Sequence, residues 1–149
     1  FDLIYSVYAF YYTKNEVKLL NNLKKLLKSD GRISIIGPYS DNNKNWWDFL
    51  EQFMTVPDSL RKFANTEFMQ GVEEYAKINF QDVKFDEFVN EITFPSIDVF
   101  RQYWKSNIYY DSKYDSDFEL YAKKHFETHN NFQYSKKAEI ITMKSPMIL

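Results

Sequence analysis

Phe1-Asp2-Leu3-Ile4-Tyr5-Ser6 and, further on, Leu23-Lys24-Lys25-Leu26-Leu27-Lys28-Ser29-Asp30-Gly31-Arg32-Ile33-Ser34-Ile35-Ile36-Gly37-Pro38 are the stretches whose reading decides the fold. The first is rich in β-formers and has no turn or cap before it, so it predicts a buried strand over Phe1–Ser6. The aromatic run Val7-Tyr8-Ala9-Phe10-Tyr11-Tyr12 reads as a loop. Thr13 with Glu16 three residues on has the form of a capping box. Leu19, Leu20, Leu23, Leu26 and Leu27 then recur at helical spacing and form one apolar face. Lys24, Lys25 and Lys28 suit the negative end of that helix. Asp30-Gly31 supplies a turn, Ile33–Ile36 is a second short apolar strand, and Gly37-Pro38 is expected to stop it. Two strands too apolar to have a wet face, joined by a helix, read as parallel neighbours covered on both sides.

Outward from there the pattern is helical and irregular. Trp46, Trp47, Leu50 and Phe53 predict a helix over Asn45–Met54. Pro57 interrupts it, and Asn65–Tyr75 resumes. Val83–Phe94 reads as a strand, with Phe88, Ile92 and Phe94 on one parity. Pro95-Ser96 opens a helix carrying Ile97, Phe100, Tyr103 and Trp104. Ser116 with Glu119 forms a second capping-box pattern before Phe118, Tyr121, Ala122, His125 and Phe126. Ala138–Met143 is a period-2 strand. No repeat, low-complexity tract or long linker divides the chain, so residues 1–149 are expected to belong to one domain.

Composition excludes several chemistries. Among 149 residues there are 3 Gly, where average usage gives roughly ten. Gly31, Gly37 and Gly71 stand too far apart for a phosphate-cradling loop. With no Cys there is no disulfide, no thiolate metal site and no thiol catalysis. The net charge of −2 argues against a dedicated nucleic-acid binder. No apolar run approaches the ~18 residues of a membrane span. No membrane partner is therefore expected, and a soluble cytoplasmic protein is. A chain that starts inside an apolar strand is expected to be the carboxy-terminal part of a longer protein, unless cleavage or cloning set that boundary.

Taken together, Phe1–Ser6, the aromatic loop and Leu23–Pro38 resemble the class I S-adenosylmethionine-dependent methyltransferases. In that family the pattern covers the fourth strand, the following helix and the fifth strand. Residues 39 to 147 match more loosely, in the helix, strand, helix, strand order that ends with an antiparallel last strand. Gly37-Pro38-Tyr39 with Asn42-Asn43, then Tyr103-Trp104 and His125-Phe126, look like one bacterial subgroup of that family. The resemblance implies an α/β fold: an incomplete doubly wound, Rossmann-like sheet of parallel strands with an antiparallel last strand and helices on both faces. It implies S-adenosylmethionine as cofactor, a small-molecule or glycan/lipid-type acceptor, and residues 1–149 as the carboxy-terminal part of one methyltransferase domain. The family's glycine-rich turn and ribose-binding acidic residue are expected upstream of Phe1. The chain alone is therefore expected to bind the cofactor weakly or not at all, and to be inactive alone.

In open α/β sheets, ligands sit outside the carboxy ends of the strands. That rule makes Ser6, Val7 and Tyr8 the cofactor-facing candidates. A sulfonium cation is attracted to aromatic faces and carbonyl oxygens, which Tyr8, Tyr11 and Tyr12 can offer. The same tyrosines can instead cover the strand edge. Tyr11, Tyr12, Tyr39, Asn43, Trp46 and Trp47 are the acceptor-side candidates. Adjacent helical residues point about 100° apart, so Trp46 and Trp47 are not expected to share a pocket. The alternative for both is ordinary helix packing. His125 and His129 stand at i, i+4, but the position after the first is Phe126 rather than the Glu of a zincin, and no metal is expected. Asp111–Asp117 lacks the glycine and terminal Glu of a calcium loop and reads as solvated. The Asn/Asp-Pro-Pro-Tyr signature of nucleobase amine methylation is replaced by Ser6-Val7-Tyr8-Ala9. No catalytic residue is assigned. A non-catalytic methyltransferase-like interaction module, with its aromatics forming a protein-binding surface, is the competing reading.

Overall fold

The structure is a computed structural model, and it describes residues 1–57 and 67–147. The strands are β1 (Leu3–Val7), β2 (Arg32–Pro38), β3 (Phe80–Phe94) and β4 (Phe132–Pro146). The helices are α1 (Glu16–Leu26), α2 (Lys44–Leu50), α3 (Glu67–Asn79), α4 (Ile97–Ser106) and α5 (Asp115–Phe126). Short 3-10 turns cover Phe10–Tyr12 and Ser112–Tyr114. The four strands form one sheet in the order β1-β2-β4-β3. β1 runs parallel to β2, with Leu3 opposite Arg32 and Val7 opposite Ile36. β4 runs antiparallel to β2, with Ile35 opposite Ile141 and Gly37 opposite Glu139. The parallel first pair and antiparallel last strand are the arrangement expected.

The described residues pack as two compact units. The first takes residues 1–42, 67–89 and 137–147, and the second 43–57 and 90–136. The core of the first unit joins one face of the sheet to α1 and α3. Ile33, Ile35, Ile141 and Met143 meet Leu20 from α1 and Met69, Val72 and Ala76 from α3, all fully or almost fully buried. Sheet partners share a face, so Ile4 and Ser6 lie on that side with Ile33 and Ile35.

Several local expectations change. β1 is not covered on both faces; among the described residues it is the edge strand of the sheet and pairs only with β2. Its Leu3, Tyr5 and Val7 are exposed, Tyr5 to 70%. The cap of α1 is Asn15, whose Oδ1 accepts from the Lys18 amide at 2.8 Å. Thr13 caps nothing in the helix; its Oγ1 accepts from the Asn15 amide at 3.3 Å. Leu26 is exposed, while Leu27, just past the helix, turns back onto the core. β2 does not stop at Gly37 but runs through Pro38, which lies opposite Ala138 on β4. Phe88 shares parity with the buried Phe94 yet is exposed.

α5 starts at Asp115 with no side-chain cap, so Ser116 and Glu119 do not form a box. Glu119 instead accepts from Arg101 Nη2 at 2.9 Å. The acidic stretch 111–117 is built into structure. Asp111 caps the 3-10 turn, and Asp115 Oδ1 accepts from the Trp104 indole at 2.9 Å. The expected helix start at Asn65 lies outside the described residues; α3 is described from Glu67.

The second unit is built around aromatic rings. Phe100 stacks on Phe132 with centroids 4.4 Å apart, and Trp104 stacks on Phe118 at 5.3 Å. The Tyr103 and Tyr134 hydroxyls bond at 2.7 Å, and burial raises the Tyr134 phenol well above its ordinary range. This accounts for much of the aromatic load of the composition: large rings fill a core that few aliphatic residues reach.

Candidate functional site

The carboxy ends of β1 and β2 lie side by side because the strands are parallel and in register. The Tyr8 amide donates to the Ile36 carbonyl at 2.9 Å, which extends the pairing by one residue. Tyr8 then adopts φ 49°, in the left-handed region. That conformation turns the chain out of the sheet and is unfavourable for a residue with a Cβ. Phe10 anchors the turn: it is buried, with its ring 5.7 Å from that of Phe68. The Tyr12 and Thr13 amides close the turn onto the Ala9 and Phe10 carbonyls. With Phe10 inward, Tyr8 is 42% exposed and Tyr12 more so. Tyr11 stands edge-on to Phe68 at 6.3 Å and 4.7 Å from Tyr12. Partial burial holds the Tyr8 phenol above its ordinary range, so it stays a neutral donor at physiological pH.

The end of β2 is strapped to β4. The Tyr39 amide donates to the Lys137 carbonyl at 3.1 Å, and Asn42 Oδ1 accepts from the Lys137 amide at 2.8 Å. The Asp41 carboxylate pairs with the Lys137 ammonium, which lowers the Asp41 pKa. Ser40, at φ 54°, makes the bend. Tyr39 is half-buried, and its phenol is raised first by burial and then by Glu139, Glu87 and Glu73.

Six of the nine candidates therefore belong to the first unit. Ser6, Val7 and Tyr8 come from the end of β1, Tyr11 and Tyr12 from the 3-10 turn, and Tyr39 from the residue after β2. Ser6 is half-buried on the helix-covered face and Val7 points to the open one.

Asn43, Trp46 and Trp47 belong to the second unit. Asn43 sits at φ 59° before α2, and its carbonyl accepts from the Trp46 and Trp47 amides at 3.0 and 3.1 Å. Trp46 is 2% exposed, stacked on Phe49 at 6.1 Å and edge-on to Tyr103 at 5.1 Å. Its surroundings make it a packing residue. Trp47 is half-buried with its ring 5.3 Å from Tyr109, so the two indoles do face different surroundings. Asn43 Oδ1 and both indole Nε1 atoms are buried without a hydrogen-bond partner among the described residues.

Two features escaped the sequence. A cleft of about 370 Å³ in the second unit is lined by Asn45, Asp48, Gln52, His125, His129 and Gln133, among others. The histidine spacing was its only signal. The two imidazoles stack at 4.4 Å, and each has one ring nitrogen against a backbone carbonyl: His125 Nε2 at Asn131 and His129 Nδ1 at His125. No group of three potential metal ligands gathers among the described residues. The second feature is Glu139, a carboxyl at 3% exposure on β4. Burial and the nearby Glu73 and Glu87 carboxylates push its pKa up to about 7, against a smaller opposing pull from Lys77. It lies in the period-2 row of Ile141 and Met143, where the sequence pattern gives no reason to expect a buried charge.

No family model matches the sequence, and no curated protein matches it. Solved structures do match. One is a Bacillus halodurans C-125 protein assigned as a methyltransferase, at 11% identity and a TM-score of 0.52, aligned over 99% of this chain and 65% of that one. Another is the Haemonchus contortus phosphoethanolamine N-methyltransferase 2, solved with phosphomonomethylethanolamine and S-adenosylhomocysteine, at 16% identity and a TM-score of 0.46 over 99% of this chain and 34% of that one. This chain thus spans just under two thirds of the bacterial structure and about a third of the nematode one. The bacterial match identifies the architecture as the class I methyltransferase fold. No helix among the described residues is long and apolar enough to cross a membrane.

Proposed function

We propose that the chain takes part, within a longer protein, in S-adenosylmethionine-dependent methyl transfer to a small-molecule or glycan/lipid-type acceptor. The observation that carries this reading is the register of the parallel β1–β2 pair, which brings Ser6, Val7, Tyr8 and Tyr39 to one edge of a methyltransferase-type sheet. Ligands of open α/β sheets are held at that edge.

S-adenosylmethionine, when bound, supplies an electrophilic methyl group on a sulfonium centre. The residues at the edge suit such a group. The backbone of Ser6 and Val7 leads out of the strand, and the half-exposed Tyr8 presents a ring face and a neutral hydroxyl to a cation. Tyr11, Tyr12 and Tyr39 carry the acceptor side, where their rings exclude water and orient a nucleophile. Asn43 and Trp47 remain acceptor-side candidates within their own unit, and Trp46 supports them through packing. No residue is assigned as general base.

The experiment is Tyr8→Phe in the longer chain. A roughly five- to tenfold loss of cofactor affinity is expected for a lost hydroxyl contact; unchanged affinity and turnover remove Tyr8 from the site. The competing reading, a non-catalytic interaction module, is favoured by one observation. Leu3, Tyr5 and Val7 form an uncovered apolar row on the outermost strand. Cofactor binding by the longer chain excludes that reading as the whole account.

A further inference from the structure

We propose that the cleft in the second unit, between α2, the end of α5 and the start of β4, binds a neutral, hydroxyl-rich ligand of the monosaccharide class. All its lining residues belong to that one unit, and the inference does not rest on methyl transfer. Asn45, Asp48 and Gln52 stand three or four residues apart, so they share one face of α2 and of the turn that continues it. The Gln52 amide donates to the Phe49 carbonyl at 3.3 Å, which keeps that turn wound. His125 and His129 lie one turn apart at and just past the end of α5, where the His129 amide donates to the His125 carbonyl at 3.0 Å. Gln133 comes from the start of β4. The volume of about 370 Å³ falls within the range of small-molecule sites, roughly 300–1,000 Å³.

The polar side chains of the cleft are tied to its own walls. Asn45 Nδ2 donates to the Gln133 carbonyl at 3.2 Å, and Gln133 Nε2 donates to Thr93 Oγ1 at 3.0 Å. His125 Nε2 lies 2.9 Å from the Asn131 carbonyl, and His129 Nδ1 lies 3.1 Å from the His125 carbonyl. A carbonyl only accepts, so each of those ring nitrogens carries a hydrogen, and the other nitrogen of a neutral imidazole is an acceptor. What the anchored groups have left is mainly acceptors: Asn45 Oδ1, Gln133 Oε1 and one nitrogen of each imidazole. Side chains held in place before a ligand arrives lower the entropy cost of binding it. No lysine or arginine is among the lining residues, which disfavours a phosphate or carboxylate ligand. Asp48 is already paired with Lys44, so a cation would meet no unmatched charge. A fitting ligand therefore brings several uncharged donors at once. A sugar ring does so: its hydroxyls donate to the fixed acceptors and accept from the second amide hydrogens of Asn45 and Gln133. A planar base fits less well. Phe49 and Phe132 are buried to 3% and 4% exposure, and the two imidazoles stack on each other at 4.4 Å.

The test titrates the 149-residue chain at constant pH with D-glucose, D-galactose and D-mannose in turn, and with N-methylacetamide as a peptide-like probe. The readout is the ring signals of His125 and His129 by NMR. At least one sugar is expected to move both rings with a Kd of about 10 mM or tighter, and to bind more tightly than N-methylacetamide. Asp48→Asn keeps the size of the side chain and removes its charge; it is expected to weaken that sugar about fivefold. Gln133→Ala is expected to weaken it about threefold. Both positions are exposed, so neither substitution disturbs the core. Binding weaker than about 10 mM for all three sugars overturns the proposal. So does N-methylacetamide binding as tightly as the best sugar, or unchanged sugar affinity in both variants.

Discussion

The amide of Tyr8 donates to the carbonyl of Ile36 at 2.9 Å while Tyr8 itself sits at φ 49°. The chain leaving β1 is thus held to β2 by one bond and turned away by one unfavourable backbone conformation. Only glycine adopts that region freely. Tyr8→Gly is therefore expected to melt no lower than the wild type, and to gain up to about 1 kcal/mol by relieving the turn. A clear loss of stability by thermal melting would show instead that the Tyr8 ring is a packing element rather than a residue kept for a ligand.

Ile35 and Ile141 face each other across β2 and β4 and are fully buried. Truncating either one leaves a cavity between the sheet and α3. Ile35→Ala and Ile141→Ala are each expected to cost about 2–5 kcal/mol in urea unfolding. Values below about 1 kcal/mol would place the core elsewhere.

The amino end of α1 distinguishes two caps. Asn15→Ala removes the acceptor for the Lys18 amide and is expected to cost about 1 kcal/mol. Thr13→Ala removes only a bond to the Asn15 amide in an exposed turn and is expected to cost less than half as much. Equal effects would return the cap to Thr13.

The fold was legible where local pattern and tertiary outcome agree. Ile33–Ile36, Ala138–Met143 and the Ser96 cap of α4 could be read from periodicity and turn chemistry, because each is decided by its own few residues. The covering of β1 was not, since exposure at Leu3, Tyr5 and Val7 depends on what packs over that face of the sheet. The Thr13–Glu16 and Ser116–Glu119 boxes have the right spacing, but the first helix begins two residues later, and the second two residues earlier, than those motifs require. The two units could not be read, because both draw on distant segments of the chain. Of the candidate site, the end of β1 followed from the fold alone. Glu139 did not, because only the register of β4 with β2 places it against Gly37.

That carboxyl gives the protein a pH dependence with a definite sign. Its pKa is pushed up to about 7 from a reference of 4.5, so the folded protein holds a proton that the unfolded chain releases. The stabilising contribution is complete below about 4.5. It is lost as pH rises toward about 7 and is constant above that. Glu139→Gln cannot ionise, so the difference in unfolding free energy between variant and wild type is expected to grow in the variant's favour by about 2–3 kcal/mol from pH 4.5 to 7.5. A difference independent of pH would show that Glu139 titrates at its ordinary value.

The central claim is that the carboxy end of β1 faces a methyl-donor cofactor. The direct measurement is a titration of the 149-residue chain with S-adenosylhomocysteine, followed by amide NMR. Weak binding, with Kd above about 1 mM, is predicted, with the largest shifts at Ser6, Val7 and Tyr8. Largest shifts at positions away from the end of β1, or movement confined to the His125–His129 cleft, would contradict the claim.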